Sequence, residues 1–589
     1  MAGRISATNL VGFLLAALAA AVVYGQPLVP RDGGLTREAT PQPFGTPAPP
    51  VPANLGQAQA AYAQALALEQ SQHPASIDYY YAAISASWLA LTAASPAAGA
   101  PPPLDPQAWA IYHDSLARLI LAGQRHGRLD PRRGLTVNTA SGQILIPTRY
   151  FGFSWKPEDF HQLLVVSDYR TKRPRHVYRR PGLGVPLVVM RYQNGGGFFR
   201  EQHPFPATAI LRPAVGVAQA PGSPSLAVGA DAGPSLDFCD SLMVRQVPWA
   251  GMQLDLAADI TAPFALVASQ AEQIKIRDLL LPGSSTNPAQ LYFVEPYRPG
   301  KIPVVFVHGL LSEPSTWLDP VNDLRALPQV MERFQLWGFR YPTATSLLGS
   351  AAVLREQLQL AVATVDPGGT DPALRQMVLV GHSMGGLVSK LQVTSSGSAI
   401  WSRVANRPLE TIVADEQIKA RLRRDTFFEP SPFVRRVIFV GTPHGGSSIA
   451  SNLIGRLASW YIEPSTEATQ IHQLLIQYNP NTFSPDVQDG FPNSVDLLEP
   501  TSPLLAALQQ MPIHPQVRLH SIIGRGYPML TAGDSDGVVP VSSARHPGVQ
   551  TETLVQAWHT EIHSHPEALQ TLLGILSMHY ADYQTPLGQ

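Results

Sequence analysis

The sequence predicts an α/β fold: a doubly wound, mostly parallel sheet in the C-terminal half, preceded by a small helical region and a β-rich accessory domain. Three observations carry this. Short apolar runs at 304–307, 377–380, 437–440 and 519–523 alternate with helical stretches. Such alternation builds parallel sheets covered by helices. The run at 377–380 leads directly into Gly381-His382-Ser383-Met384-Gly385, with Leu387, Val388 and Leu391 following at helical spacing. N-terminal to these elements, apolar residues first recur every three to four positions and then, from Leu135 to about Leu266, fall into short runs between Gly and Pro clusters.

The 589 residues are enough for two or three domains. A hydrophobic content of 45% with only 14% charged residues and a net charge of −1 suits a packed core. It argues against a nucleic-acid partner, which would require a concentrated positive field to neutralise phosphates. The single cysteine, Cys239, excludes an intrachain disulfide and reads as a small buried hydrophobe. Neither His-Glu-x-x-His nor paired Cys-x-x-Cys occurs, so no metal or organic cofactor is expected.

Residues 1–25 read as a signal peptide or signal anchor. Arg4 precedes an apolar run from Leu10 to Val23, and Val23 and Gly25 fit a cleavage site before Gln26. The run is short for a membrane span, which takes about 20 residues. Export is therefore expected, to the periplasm, cell envelope or exterior, with anchoring by an uncleaved segment left open. Residues 26–54 are rich in Pro, Gly and Thr and read as a linker.

Residues 55–130 form the helical region. Helices are expected over 55–72 and 76–92. A third should start at Asp105-Pro106, an N-cap followed by Pro at the first helical position. Trp109, Tyr112, Leu116, Leu119 and Ile120 share one face of that helix, as a core stripe rather than a binding groove. Residues 131–290 form the β-rich accessory domain, with strand-like runs at 144–146, 163–166, 187–189 and 209–211. Arg170, Lys172, Arg173, Arg175, Arg179 and Arg180 make a basic patch. It reads mainly as a solvated face and leaves membrane-surface association open. The last domain spans 291–589.

The chemistry centres on Ser383. Gly-x-Ser-x-Gly between a strand and a helix places a serine on a sharp turn at the carboxyl edge of a sheet. A serine hydroxyl needs a base to take its proton, an acid to orient the base and donors for an oxyanion. On this architecture the acid and then the base follow the serine along the chain. Asp536, in Gly533-Asp534-Ser535-Asp536-Gly537, is the preferred acid, with Asp534 as its rival. His559 is the preferred base in a cluster that also holds His563 and His565, while His546 and His579 stand alone. The oxyanion donors are expected to be the N–H groups of Met384 and Leu310, the latter after His308-Gly309 at the end of an early strand.

Several segments together resemble the bacterial lipase/esterase branch of the α/β-hydrolases, similar to triacylglycerol lipases and GPI inositol-deacylase-like proteins. They are His308-Gly309, Trp317, the run from Trp337 to Thr343, Gly381 to Gly385, Gly441-Thr442-Pro443-His444-Gly445-Gly446-Ser447, Asp536 to Pro540, and His559-Thr560 with Pro566-Glu567. The likeness covers about 303–576. It implies the α/β-hydrolase fold with Ser383, Asp536 and His559 as a catalytic triad. No cysteine follows the N-terminal run closely, unlike the lipoprotein members. The stretch 447–500, with Leu453, Ile454, Leu457, Trp460 and Tyr461, reads as a lid or pocket wall. The expected function is then an exported serine hydrolase acting on carboxylic esters, plausibly of lipids, with the ester as its partner and the oligomeric state open. An acyltransferase with the same triad, or a cell-envelope binding protein with a silent site, are the alternatives.

Overall fold

The computed structural model describes residues 53–92, 104–166, 174–192, 197–213, 233–249, 252–269, 289–310, 312–342, 346–447, 466–488, 496–527 and 533–585. The N-terminal run and most of the Pro-rich linker lie outside them. So do Arg170, Lys172 and Arg173, Leu311, Thr343, and Leu453, Ile454, Leu457, Trp460 and Tyr461, the residues read as a lid or pocket wall. Among the described residues no helix is long and apolar enough to cross a membrane. The chain divides into two compact units, 1–192 with 204–286, and 193–203 with 287–589.

In the first unit, helices α1 (Ala53–Gln70), α2 (Ser76–Thr92) and α3 (Pro106–Arg125) precede the strands. Asp105 caps α3, accepting from the N–H groups of Gln107 and Ala108. Tyr112, Leu116, Leu119 and Ile120 are fully buried and Trp109 is half-buried, so four of the five stripe residues are core. The Tyr112 hydroxyl donates to the carbonyl of Leu211 at 2.9 Å, tying α3 to a strand. Among the described residues eleven strands follow: β1 (Leu129–Asp130), β2 (Gly134–Thr139), β3 (Gly142–Phe151), β4 (Gln162–Val165), β5 (Arg179–Arg180), β6 (Val185–Tyr192), β7 (Gln202–Arg212), β8 (Ser235–Cys239), β9 (Gln246–Trp249), β10 (Met252–Asp255) and β11 (Ala258–Asp259). Seven make one sheet in the order β1-β2-β3-β8-β7-β6-β4. The stretches 55–130 and 131–290, read from the sequence as separate regions, thus share one unit, while 193–203 joins the other. Two members of the basic patch are committed within this unit. Arg179 pairs with Asp259 at 2.7 Å, and Arg180 donates to the backbone carbonyls of Leu256 and Val244.

The second unit contains strands β12 (Gln290–Phe293), β13 (Ile302–Val307), β14 (Phe334–Arg340), β15 (Met377–His382), β16 (Val434–Val440), β17 (Arg518–Gly524) and β18 (Val549–Val555). Its helices include α4 (Leu318–Arg325), α5 (Pro328–Arg333), α6 (Leu347–Val365), α7 (Met384–Lys390), α8 (Glu416–Thr426), α9 (Thr466–Tyr478), α10 (Pro503–Gln510) and α11 (Pro566–Gln584). The sheet order is β12-β14-β13-β15-β16-β17-β18. Only β12 runs antiparallel to its neighbour; all other pairs are parallel. The apolar runs are the middle strands, and β13 and β15 are buried at every residue.

The chain runs from β13 outward to β14, then back past β13 to β15. The winding direction therefore reverses between β13 and β15, and the helices divide between the two faces. On β16, Val437 and Phe439 join the core with Leu354 and Leu358 of α6 and Leu387 and Val388 of α7. Its alternate residue Arg436 turns to the other face and bonds His579 and Asp582 of α11. The loops at the carboxyl ends of β13 and β15 flank the reversal, which is where open α/β sheets place their sites.

Candidate active site

Ser383 terminates β15 with φ +54°, one of three non-glycine residues with positive φ among those described. The turn is held by two backbone bonds, Ser383 N–H to the carbonyl of Val440 and Gly386 N–H to the carbonyl of Ser383, each 2.9 Å. A β-carbon at Gly381 would overlap the carbonyl of Gly385, and one at Gly385 would overlap the carbonyls of Val307 and His308. Glycine at both places is what lets α7 start immediately beside the end of β13. From 377 to 394 every residue is buried except Ser383, which is half-buried. Met384 opens α7, so its N–H lies at the helix N-terminus beside the serine.

Gly309 lies against this turn. A β-carbon on it would come within 2.9 Å of Ser383 Cβ and 3.1 Å of His382 Nδ1. Leu310 is the next residue. The loop is braced by His308, whose ring stacks on Tyr341 at 4.4 Å. The Tyr341 hydroxyl donates to the His308 carbonyl at 2.8 Å, and the Tyr341 N–H donates to His308 Nε2. Burial pushes the His308 imidazole down to about 4, so it is neutral and able to accept.

Asp536 and His559 come together. His559 Nδ1–H donates to Asp536 Oδ2 at 2.7 Å. The other carboxylate oxygen accepts from the N–H groups of Val538 and Val539 at 2.9 and 2.6 Å. The His559 N–H also donates to the Asp536 carbonyl at 2.9 Å. Both side chains are nearly inaccessible, at 8% and 1% exposure. Asp534 does something else: its Oδ1 accepts from the Gly526 N–H at 2.7 Å and pins the loop.

The other histidines of the cluster are placed apart from Asp536. His563 is buried, with its ring edge-on to Trp317 at 5.5 Å and to His382 at 5.1 Å. His565 caps α11, accepting from the Glu567 N–H. His546 packs beside His444 with ring centroids 4.9 Å apart. No hydrogen bond joins Ser383 Oγ to His559 among the described residues. The two are linked instead through His382, whose Nε2 lies 2.9 Å from the carbonyl oxygen of His559. The sequence reading passed over His382 as the variable residue of the motif. Its only signal was a polar residue at the end of a strand otherwise apolar. Among the described residues, no group of three or more His, Cys, Asp or Glu stands where it could hold a metal ion.

Residues 304–570 match the family model described as the alpha/beta hydrolase family, in agreement with the strand order and the turn at Ser383. No curated protein matches the chain. Solved structures similar to it include the mature lipase BlEst2 of Bacillus licheniformis, at 18% identity over 49% of this chain and 99% of that one, with a TM-score of 0.30. Lipase 1 of Pelosinus fermentans is 14% identical over 49% of this chain and 100% of its own, with a TM-score of 0.30. The esterase Est2 of the Planctomycetes species Thermogutta terrifontis is 12% identical over 52% of this chain and 94% of its own, with a TM-score of 0.28. Likenesses this distant carry no argument about the reaction.

Proposed function

Taking residues 304–570 as an α/β-hydrolase domain, we propose that it hydrolyses carboxylic esters through Ser383, His559 and Asp536. The observation that carries this is the state of His559. Its backbone N–H and its Nδ1 are committed to Asp536, and its carbonyl accepts from His382. Nε2 is the one polar atom left uncommitted, as a general base requires. The serine one step from His382 is the partly exposed residue of an otherwise buried elbow.

In this mechanism Ser383 Oγ attacks the ester carbonyl while His559 Nε2 takes the hydroxyl proton. The carbonyl oxygen becomes an oxyanion held by the N–H groups of Met384 and Leu310; losing one such donor costs roughly 3 kcal/mol of transition-state stabilisation. Asp536 keeps the proton on Nδ1 and offsets the charge on the imidazolium. When the tetrahedral adduct collapses, His559 returns its proton to the departing alkoxide, and an alcohol and an acyl-Ser383 remain. Water attacks that acyl group, again with His559 as base, and releases the carboxylic acid. The protein is proposed to act outside the cytoplasm, on the strength of the apolar run from Leu10 to Val23. Lipid esters are the proposed substrate class, on the family resemblance of the segments around the elbow.

The test is fluorophosphonate labelling of the wild type and of Ser383→Ala, followed by p-nitrophenyl esters of increasing chain length. Labelling of the wild type alone, with turnover rising toward longer chains, is the expected result. An unlabelled, well-folded wild type would overturn the proposal. N-terminal sequencing of the protein from fractionated cells checks export.

A further inference from the structure

We infer that His382 is a positioning residue for His559, locking the loop that carries the base to the elbow that carries the nucleophile. The inference rests on the proposed ester-hydrolase reading and deepens it. The two histidines are 177 residues apart in the chain, and their contact is buried. Because a carbonyl oxygen can only accept, Nε2 of His382 must carry the proton. This sets the tautomer: Nδ1 is the bare nitrogen, and it is buried without a hydrogen-bond partner. An unmatched nitrogen of this kind costs free energy, which suggests that the other nitrogen has a use.

The surroundings fit a clamp. The His382 ring lies between those of His559, at 4.9 Å, and His563, at 5.1 Å, with Trp317 edge-on at 6.4 Å. Phe306 of β13 backs Trp317 at 5.1 Å. The base-bearing loop is thus gripped at two rings and one carbonyl by a residue whose Cα is about 3.8 Å from that of Ser383. Burial, then the neighbouring His559, pushes the His382 imidazole down to about 3. It therefore stays neutral while His559 cycles through its charged form, and no second positive charge enters the site. Without the clamp the His559–Asp536 pair would exchange more readily with solvent, and Nε2 would lose its fixed distance from Ser383. Displacements of about 1 Å at a reacting centre cost on the order of 10²-fold in rate.

Two substitutions separate positioning from mere packing. In H382Q the amide nitrogen sits as many bonds from the main chain as Nε2 does and can donate to the same carbonyl. In H382M the length is similar and the donor is gone. We expect H382M to lose about 10- to 100-fold in kcat and in the fluorophosphonate labelling rate, with KM changed less than about threefold, and H382Q to recover most of the loss. Equal activity of H382M and wild type would overturn the inference. So would equal losses in two variants that both melt like the wild type. If H382M does not fold, H382N, whose amide falls one carbon short of the carbonyl, takes its place.

A second readout needs no substrate. The downfield proton resonance of the His559–Asp536 hydrogen bond should persist in wild type and H382Q and broaden in H382M. A wild type that neither labels nor turns over esters would sink the ester-hydrolase reading. The resonance would still decide the role of His382.

Discussion

Arg436 Nε donates to Nδ1 of His579 at 3.1 Å, so this buried arginine is held by the lone pair of a neutral imidazole. Its Nη1 is placed the same way against Nε2 of His520, and its Nη2 meets Asp582 at 2.6 Å. The histidines complete the arrangement with their remaining N–H groups. His579 donates to the Gln376 carbonyl and His520 to the Thr551 hydroxyl, each at 2.7 Å. Protonating either one would put a cation against a guanidinium inside the sheet.

Acid should therefore loosen the second unit well before its carboxylates titrate. Burial, reinforced by Arg436, pushes His520 and His579 down to about 4, and burial does the same to His308. An unfolded histidine titrates near 6.5. Between these values the unfolded chain binds more protons, so stability is full above pH 6.5 and falls as pH drops toward 4. Each such histidine contributes roughly 1.4 kcal/mol per pH unit as an upper bound. Thermal melts between pH 8 and 4.5 should show a steep decline starting near 6.5, and a flat profile down to pH 5 would contradict it.

Exchanging the two aspartates of one loop should have opposite consequences. Asp536→Asn removes the acceptor that fixes the His559 tautomer and should lower kcat by about 10³- to 10⁴-fold while leaving the fold intact. Asp534→Ala loses only a loop bond to Gly526 and should cost less than about tenfold in rate, with a melting temperature a few degrees lower. Steady-state kinetics with circular dichroism on both variants is the measurement, and equal losses would reassign the acid.

Glycine substitutions should separate by contact. Gly385→Ala drives a β-carbon into the carbonyls of Val307 and His308, and should cost several kcal/mol or prevent folding. Gly574→Ala, on α11, meets nothing within 4 Å, so a helix interior gains a better helix former. It should stabilise by roughly 0.5–1 kcal/mol. Urea titrations of the two variants read both signs.

Lys390 on α7 is 97% hidden from solvent, and no carboxylate pairs with it among the described residues. Burial alone pushes its ammonium down to about 8 from 10.5. The charged form is thus disfavoured in the folded state, and the wild type should gain stability as pH climbs from about 8 toward 10.5. Lys390→Met removes the buried charge and should stabilise the protein at pH 7, by roughly 3 kcal/mol as an upper bound. A lower melting temperature for this variant at pH 7 would mean that the ammonium has a stabilising partner.

The strands that a sequence can announce are those buried on both faces. The runs at 304–307, 377–380, 437–440 and 519–523 became β13, β15, β16 and β17, because parallel strands under helices are apolar throughout. The three strands of this sheet not foreseen lack a long uninterrupted apolar run. β18, Val-Gln-Thr-Glu-Thr-Leu-Val, is an edge strand exposed at alternate residues. β12 is a four-residue antiparallel edge, and β14 carries Gln335 and Arg340 among its apolar residues. In the N-terminal half, the aromatic stripe of α3 and the Asp105 cap were legible because helical period and capping are local. That 193–203 leaves one unit for the other was not. Phe198 stacks on Phe293, a residue 95 positions away by number, and no local pattern encodes such a partner.

The sequence by itself determined the elbow around Ser383 and the short motifs holding Asp536 and His559, since each is written in a few adjacent residues. Tertiary structure alone decided how these pieces meet. Asp536 pairs with His559 while His563 packs against Trp317 and His565 caps a helix. The residue joining His559 to the strand before Ser383 is His382, which the motif treats as interchangeable. The physical reason is range. Backbone turns, caps and periodicity act over a few residues, whereas the direction of a buried ring nitrogen depends on which acceptor the folded chain brings within about 3 Å.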